Sequence, residues 1–205
     1  MMPDFYSNSQ VLQLHEQEGQ DYRINASHNW HQVLIIVPHG GKIESYTSQI
    51  TKWIAAEDFA WYCFEGLKDL DNRKLHITSH NFDEPTVLQA IQDARTVLTI
   101  HGLKNSIDEF LMIGGLDTAS GSELRVALQH QGFIVRDIEQ GYGGVRATNI
   151  CNRRCTGKGV QLEISFALRK RIFEDAECRL RFIETVRSVI IGRKLELYGS
   201  KGTHI

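Results

Sequence analysis

A chain of 205 residues, 41% hydrophobic and 23% charged, is long enough to bury a core of its own and reads as a single domain over residues 1–205. Its 23 basic and 25 acidic side chains leave a formal charge of −2, so no global field favours nucleic acid, and an anionic partner must be met by a local basic cluster. No run approaches the roughly 18 apolar residues of a membrane span, and the opening MMPDFYSNSQ lacks the regions of a signal peptide, so the expectation is a soluble protein made in the cytoplasm, with no membrane partner.

In chain order, the β-branched run 33–37 predicts a first buried strand. Tyr46, Ile50, Trp53 and Ile54 then recur on one helical face. Residues 75–78 read as a strand. Pro85 stands at a first helical position, with Asp83 and Glu84 before it as caps and Val87, Leu88 and Ile91 continuing the helix. Strands follow at 97–100, 111–113 and 133–138, with a helix over 120–130 between the last two. A strand at 160–164 and a helix over 175–190 complete the pattern. Such alternation predicts an α/β fold of three layers, an open and mostly parallel sheet with helices on both faces. Ligands then bind beyond the carboxyl ends of the strands. The cysteines Cys63, Cys151, Cys155 and Cys178 include only one close pair, C-x3-C, without the second pair of a structural zinc site, and read as reduced and structural.

Three strand ends carry polar residues: IIVPHGGKIE supplies His39 and Glu44, VLTIHG supplies His101, and GVQLEIS holds Glu163 between Leu162 and Ile164. Zinc takes nitrogen and oxygen ligands at about 2.0–2.2 Å and, in catalytic sites, keeps a position for water. Two imidazoles and a carboxylate provide such a set, and the Gly40–Gly41 pair allows the curl that lets His39 and Glu44 meet one ion. Glu163, among apolar neighbours, has reason to hold a raised pKa and to accept the water's proton. Each residue also has an ordinary reading: a histidine bonded to a loop carbonyl, Glu44 at a helix amino end, Glu163 paired with an arginine. Spacing alone leaves both readings open.

Other histidines are not assigned to the metal. His28 and His31 precede the first core strand as surface residues, His130 ends a helix, and His15 and His204 lie near the termini. His76 and His80, four apart on a predicted strand and its turn, do not share a helical face.

The motifs PHGGKIE, KLHITSHNFDEP, TIHGLK, IGGLDT and NICNRRCTGKGVQLEIS, in that order over residues 33–170, resemble the poly-γ-glutamate hydrolase family of bacteriophages and bacilli. The resemblance implies a zinc amidohydrolase with a fold similar to zinc carboxypeptidases, a mixed open sheet covered on both sides. It implies cleavage inside a γ-linked glutamate chain, one zinc ion on His39, Glu44 and His101, and Glu163 as general base. The Asn-Arg pair of the family falls on Asn152 and Arg153. Lys42 and the second arginine, Arg154, depart from the expected pattern without touching a ligand.

The implied substrate is a polyanion with one free α-carboxylate per residue. Arg146, Arg153, Arg154 and Lys158, just before the Glu163 strand, are the basic cluster to meet it, with Arg153 also near the oxyanion; Lys42 and Lys104 extend the rim. His76 is expected to support a ligand carboxylate by hydrogen bonding, and Tyr142 to close over the site. A monomer that reaches an extracellular polymer after cell lysis fits this reading. An amidohydrolase of small N-acyl amino acids such as N-formylglutamate, or a non-catalytic polyanion-binding module, is the alternative.

Overall fold

The structure, a computed structural model, describes residues 3–27, 32–154 and 156–199, with side chains through residue 192. His28, His31, Cys155 and His204 lie outside the described residues.

Seven strands form one mixed sheet: β1 (Tyr22–Ala26), β2 (Val33–Gly41), β3 (Ala60–Gly66), β4 (Thr96–Leu103), β5 (Leu111–Gly114), β6 (Val135–Arg136) and β7 (Val160–Ser165). Their order is β1-β3-β2-β4-β7-β5-β6, with β3, β2, β4 and β7 parallel to one another and β1 and β5 antiparallel to their neighbours β3 and β7. The three strands that carry the polar endings, β2, β4 and β7, are therefore adjacent at the centre, with their carboxyl ends at one rim. This is where an open α/β sheet collects its ligands.

Helices α2 (Thr47–Ala55), α4 (Thr118–His130), α5 (Phe166–Glu174) and α6 (Ala176–Gly199) cover one face, where Ile35, Ile50, Ile100, Leu124, Leu162 and Phe182 share a core. Helices α1 (Ser9–His15) and α3 (Pro85–Gln92) cover part of the other, with Leu12, Leu34, Phe64, Val87 and Ile91. Beyond β7 the described residues of that second face form a small buried cluster, Leu103, Phe110 and Met112 with Tyr142 packed against it. Among the described residues no helix is long and apolar enough to cross a membrane.

Several expectations hold closely. Glu84 caps α3 by accepting from the Thr86 and Val87 amides, with Pro85 at the first turn, while Asp83 instead accepts from Ser9 N–H. Cys63, Cys151 and Cys178 are free buried thiols. The predicted strand at 75–78 is a correction: residues Asn72–Leu75 form a 3-10 turn, and the chain then runs extended without joining the sheet. Leu75 and Ile77 alternate because both fill the second core, not because a ladder pairs them. The strand predicted at 133–138 shrinks to Val135–Arg136 at the sheet edge. Strands β1 and β3 and helices α1 and α5 were not anticipated.

Candidate metal centre

A β-bulge places His39. Val37 opposes Cys63 and Gly40 opposes Glu65, so three steps along β2 match two along β3. The extra residue reverses the alternation, turning His39 away from the face of Val37 and towards that of His101. Pro38, which has no N–H to give to a ladder, sits within this bulge, where its missing donor costs little.

The turn that follows brings Glu44 back. Gly41 has φ +62°, a left-handed conformation that side chains disfavour, and a Cβ there would meet the Gly66 backbone. Glu44 N–H then donates to the His39 carbonyl at 3.0 Å. The two residues, five apart in sequence, are locked together by the backbone.

Three side-chain atoms converge. His39 Nδ1 lies 3.3 Å from Glu44 Oε1 and 3.2 Å from His101 Nδ1, and the ligand atoms of the trio lie within 4.8 Å of one another. His39 Nε2 is 2.7 Å from the Ile77 carbonyl, which can only accept. The ring therefore donates through Nε2, and its Nδ1 faces the two partners. His101 Nε2 is held by Ser79 Oγ at 3.3 Å, and Glu44 Oε2 accepts from Gly102 N–H at 2.7 Å. Two buried imidazole nitrogens and one partly buried carboxylate, pre-oriented from behind and facing one point, fit a zinc ion by donor type and number.

Electrostatics agree. Burial lowers the His101 pKa, helped by His39 alongside, to about 3, so the ring stays neutral and able to ligate. Burial works to raise Glu44, but the attraction of His39 and then His101 overcomes it and holds the carboxylate at about 2. Glu163 behaves oppositely. Burial, reinforced by the negative charge of Glu44, pushes it well above the usual carboxylate range, against the pull of Arg169 and a hydrogen bond from Gln161. Glu163 stands directly opposite His101 in the β4–β7 ladder, so both point to the same face. Gln161 Nε2 donates to Glu163 Oε1 at 2.8 Å and Asn149 Nδ2 donates to Gln161 Oε1 at 3.1 Å, which fixes the carboxyl.

His76 belongs to the site in a different manner from that expected. Its ring stacks on His39, with centroids 4.0 Å apart, and its Nδ1 hydrogen bond runs to Asp4 at 3.0 Å, not to a ligand carboxylate. Asp4 also accepts from Thr78 N–H. The segment 76–80, which overlaps the strand predicted at 75–78, thus supports both imidazoles through Ile77 and Ser79.

The basic segment is largely turned inwards. Asn152 donates to the Gly144 and Arg146 carbonyls and accepts from the Leu116 and Gly159 amides. Arg153 donates to the Thr148, Phe82 and His80 carbonyls. Arg154 donates to the Lys158 carbonyl and lies 3.5 Å from Asp117. Lys158, Arg146 and Lys104 are exposed, and Lys42 pairs with Asp69 at the surface. Tyr142, half-buried, packs on the Leu103, Phe110 and Met112 cluster, and burial followed by the charge of Glu163 raises its pKa.

Sequence reasoning missed Arg169 altogether. Its guanidinium, on α5, is buried and donates to the Ser45, Leu103 and Ile164 carbonyls. Those carbonyls lie beside Glu44, two residues past His101 and beside Glu163, so one cation ties all three site-bearing segments. Burial lowers its pKa to about 10 against the opposing pull of Glu44 and Glu163, and it remains charged. The only signal in sequence was an arginine on the buried side of a helix six residues after Glu163.

The sequence profile of the family described as poly-gamma-glutamate hydrolase matches residues 6–188. YmaC of Bacillus subtilis (strain 168) is 38% identical over 176 residues, 84% of this chain and 74% of its own length. The solved structure of a bacteriophage poly-gamma-glutamate hydrolase matches with a TM-score of 0.86 at 27% identity, covering 96% of this chain and 99% of that one. The zinc-free apo structure of YndL matches with a TM-score of 0.82 at 30% identity, covering 91% and 97%. The chain belongs to the poly-γ-glutamate hydrolase family.

Proposed function

We propose that this chain is a zinc-dependent hydrolase that cleaves γ-glutamyl amide bonds inside poly-γ-glutamate, with one zinc ion held by His39, Glu44 and His101 and with Glu163 as the general base. The observation that carries this reading is the convergence of two buried imidazoles and the partly buried Glu44 carboxylate, with a raised-pKa carboxyl in the adjacent register position. Family membership supports the substrate, and the zinc-free state named for YndL supports the metal.

A bound zinc ion supplies Lewis acidity, polarising a carbonyl and bringing the pKa of water to about 7. The protein's own groups do the remaining work. Glu163 accepts a proton from the attacking water on its carboxylate oxygen and returns it to the nitrogen of the departing amine. Its raised pKa suits both directions of that transfer. Gln161 keeps the carboxyl aimed, and Arg169 offsets the negative charge that Glu44 and Glu163 place together. Asn152, Arg153 and Arg154 shape the loop that borders the site, while exposed Lys158 meets a substrate carboxylate.

Incubation of the zinc-loaded protein with purified poly-γ-glutamate, with and without a chelator, tests the reading. A rapid fall in polymer size, abolished by the chelator and restored by zinc, is expected. Polymer of unchanged size would refute it, and release of small acids from N-acyl amino acids alone would point to the amidohydrolase alternative.

A further inference from the structure

The His39 and His101 rings are held from behind by two alternate residues of one short segment, through the Ile77 carbonyl and the Ser79 hydroxyl. The residues between and before them bond to a single carboxylate. Asp4 Oδ1 lies 3.0 Å from His76 Nδ1, and Asp4 Oδ2 accepts from Thr78 N–H at 2.7 Å. Asp4 thus grips the chain on both sides of Ile77, from a position 72 residues ahead of His76 and with its side chain only 8% exposed.

Residues 76–78 run extended without joining the sheet, so no ladder fixes their backbone. From Ser79 onwards other groups tie the chain: the Ser79 carbonyl accepts from Ile150 N–H at 3.0 Å, and Arg153 donates to the His80 and Phe82 carbonyls. Ahead of Ser79 the Ile77 side chain fills the second core. Apolar burial is non-directional and does not aim a carbonyl. The two Asp4 bonds, one on each side of Ile77, supply that direction. They also hold the His76 ring, which stacks on His39 with centroids 4.0 Å and planes 23° apart. His39 is therefore braced at its Nε2 and on its ring face by residues that both trace back to Asp4.

The arm that carries Asp4 has fastenings of its own. Tyr6 and Leu12 lie in the second core, Tyr6 Oη donates to Glu16 Oε1 at 2.6 Å, Lys68 pairs with the other Glu16 oxygen, and Ser9 N–H donates to Asp83 at 2.7 Å. The Asp4 carboxylate is directed instead at the segment behind the metal centre.

We propose that Asp4 is a positioning residue for that centre: by pinning His76 and Thr78 it sets the Ile77 carbonyl and the His76 ring against His39, and so sets how tightly zinc is bound. The proposal rests on the ligand set proposed above and adds a residue outside it. Loss of a group that orients a ligating histidine typically costs 10–100-fold in metal affinity. Asp4 acts one step further out, which places its effect at the lower end.

The test measures zinc affinity by competition with a chromophoric chelator, alongside the melting temperature of the zinc-free protein. Asp4→Ala should weaken zinc binding about tenfold. Asp4→Asn keeps an acceptor for Thr78 N–H and should fall between that variant and the parent; it decides the matter if Asp4→Ala does not fold. Tyr6→Phe loosens the same arm without touching residues 76–79, and should lower the melting temperature with zinc affinity nearly unchanged. In zinc-free protein the His39 Nε2 proton, bonded to Ile77, should exchange with water faster in Asp4→Ala than in the parent or Tyr6→Phe, as read by proton NMR. At saturating zinc the kcat of the Asp4 variants should return close to that of the parent, because no reacting group has been removed. Zinc affinity like the parent's in both Asp4 variants, or a loss in Tyr6→Phe equal to that in Asp4→Ala, overturns the proposal and leaves the ligand set standing. A parent that binds no zinc overturns the ligand set itself, and one that binds zinc yet leaves polymer intact overturns the hydrolase reading alone.

Discussion

Gly102 and Arg169 occupy what would otherwise be the same space: a Cβ built on Gly102 runs into the Arg169 guanidinium. The same glycine donates its amide to Glu44 Oε2, so a single position without a side chain lets the Glu44 carboxylate and the bracing arginine both pack at the end of β4. Gly102→Ala would force the guanidinium away from the Ser45, Leu103 and Ile164 carbonyls. With hydrogen bonds to charged groups contributing about 1.5–3 kcal/mol each and partial compensation by water, the expected loss is about 2–4 kcal/mol. Thermal unfolding should show it as a drop of roughly 5–15 °C, and competition with a chromophoric chelator should show weaker zinc binding. A variant that melts and binds zinc like the parent would show that the contact is dispensable.

Separating metal binding from proton transfer gives a sharper pair of outcomes. His39→Ala removes one of the three proposed ligand atoms and should leave the purified protein with little zinc by elemental analysis. Glu163→Gln keeps all three ligands and the hydrogen-bonding shape of the carboxyl but cannot take a proton. It should retain full zinc and lose about 10²–10⁴ in kcat, the usual scale of general acid–base catalysis. Substantial turnover in that variant would remove Glu163 from its assigned role.

The centre of the fold was legible because parallel strands buried on both faces leave long β-branched runs, as in 33–37, 97–100 and 160–164, and because function collects at their ends. The meeting of His39, Glu44 and His101, with Glu163 in register with His101, could be anticipated that way. The bulge at Pro38 that aims His39 could not, since it depends on pairing with β3, a strand whose buried Glu65 and mixed aromatics hid its period. Residues 75–78 misled for the complementary reason: alternation reports which side chains are buried, not where the backbone hydrogen bonds go. Asn152 and Arg153 were visible as polar residues beside the site. Their many backbone partners were not, because these lie up to 73 residues away in sequence.

Acidification should unfold the metal-free protein by a predictable route. His101 and His76 titrate at about 3 in the folded chain, His76 through burial and then the charge of His39, against an ordinary 6.5. Between those values the unfolded chain takes up protons that the folded one refuses, so stability is full above 6.5 and falls as pH drops towards 3. Glu163 acts in the opposite sense: its raised pKa means the folded chain binds the proton more readily, which stabilises as pH falls towards the ordinary value of 4.5. Glu163→Gln should therefore steepen the loss of melting temperature when chelator-treated protein is taken from pH 6.5 to 4.5. An unchanged slope would mean that Glu163 does not hold its proton in the fold.

Asn152 offers the last contrast, between a residue that holds a loop and one that holds a ligand. Both amide hydrogens and both oxygen lone pairs are engaged by backbone groups at 116, 144, 146 and 159. Asn152→Ala, at a position that is 2% exposed, would take the acceptor from the Leu116 and Gly159 amides and leave the Gly144 and Arg146 carbonyls with only Cys151 Sγ and Asn149 N–H, and an unmet buried polar group costs about 1–3 kcal/mol. Water entering the space offsets part of that, so a loss of about 3 kcal/mol is expected. Asn152→Asp should be at least as damaging, because an acceptor would then face the Gly144 and Arg146 carbonyls. Both effects should appear in urea unfolding without zinc or polymer, where a residue that only touched substrate would leave the midpoint unmoved.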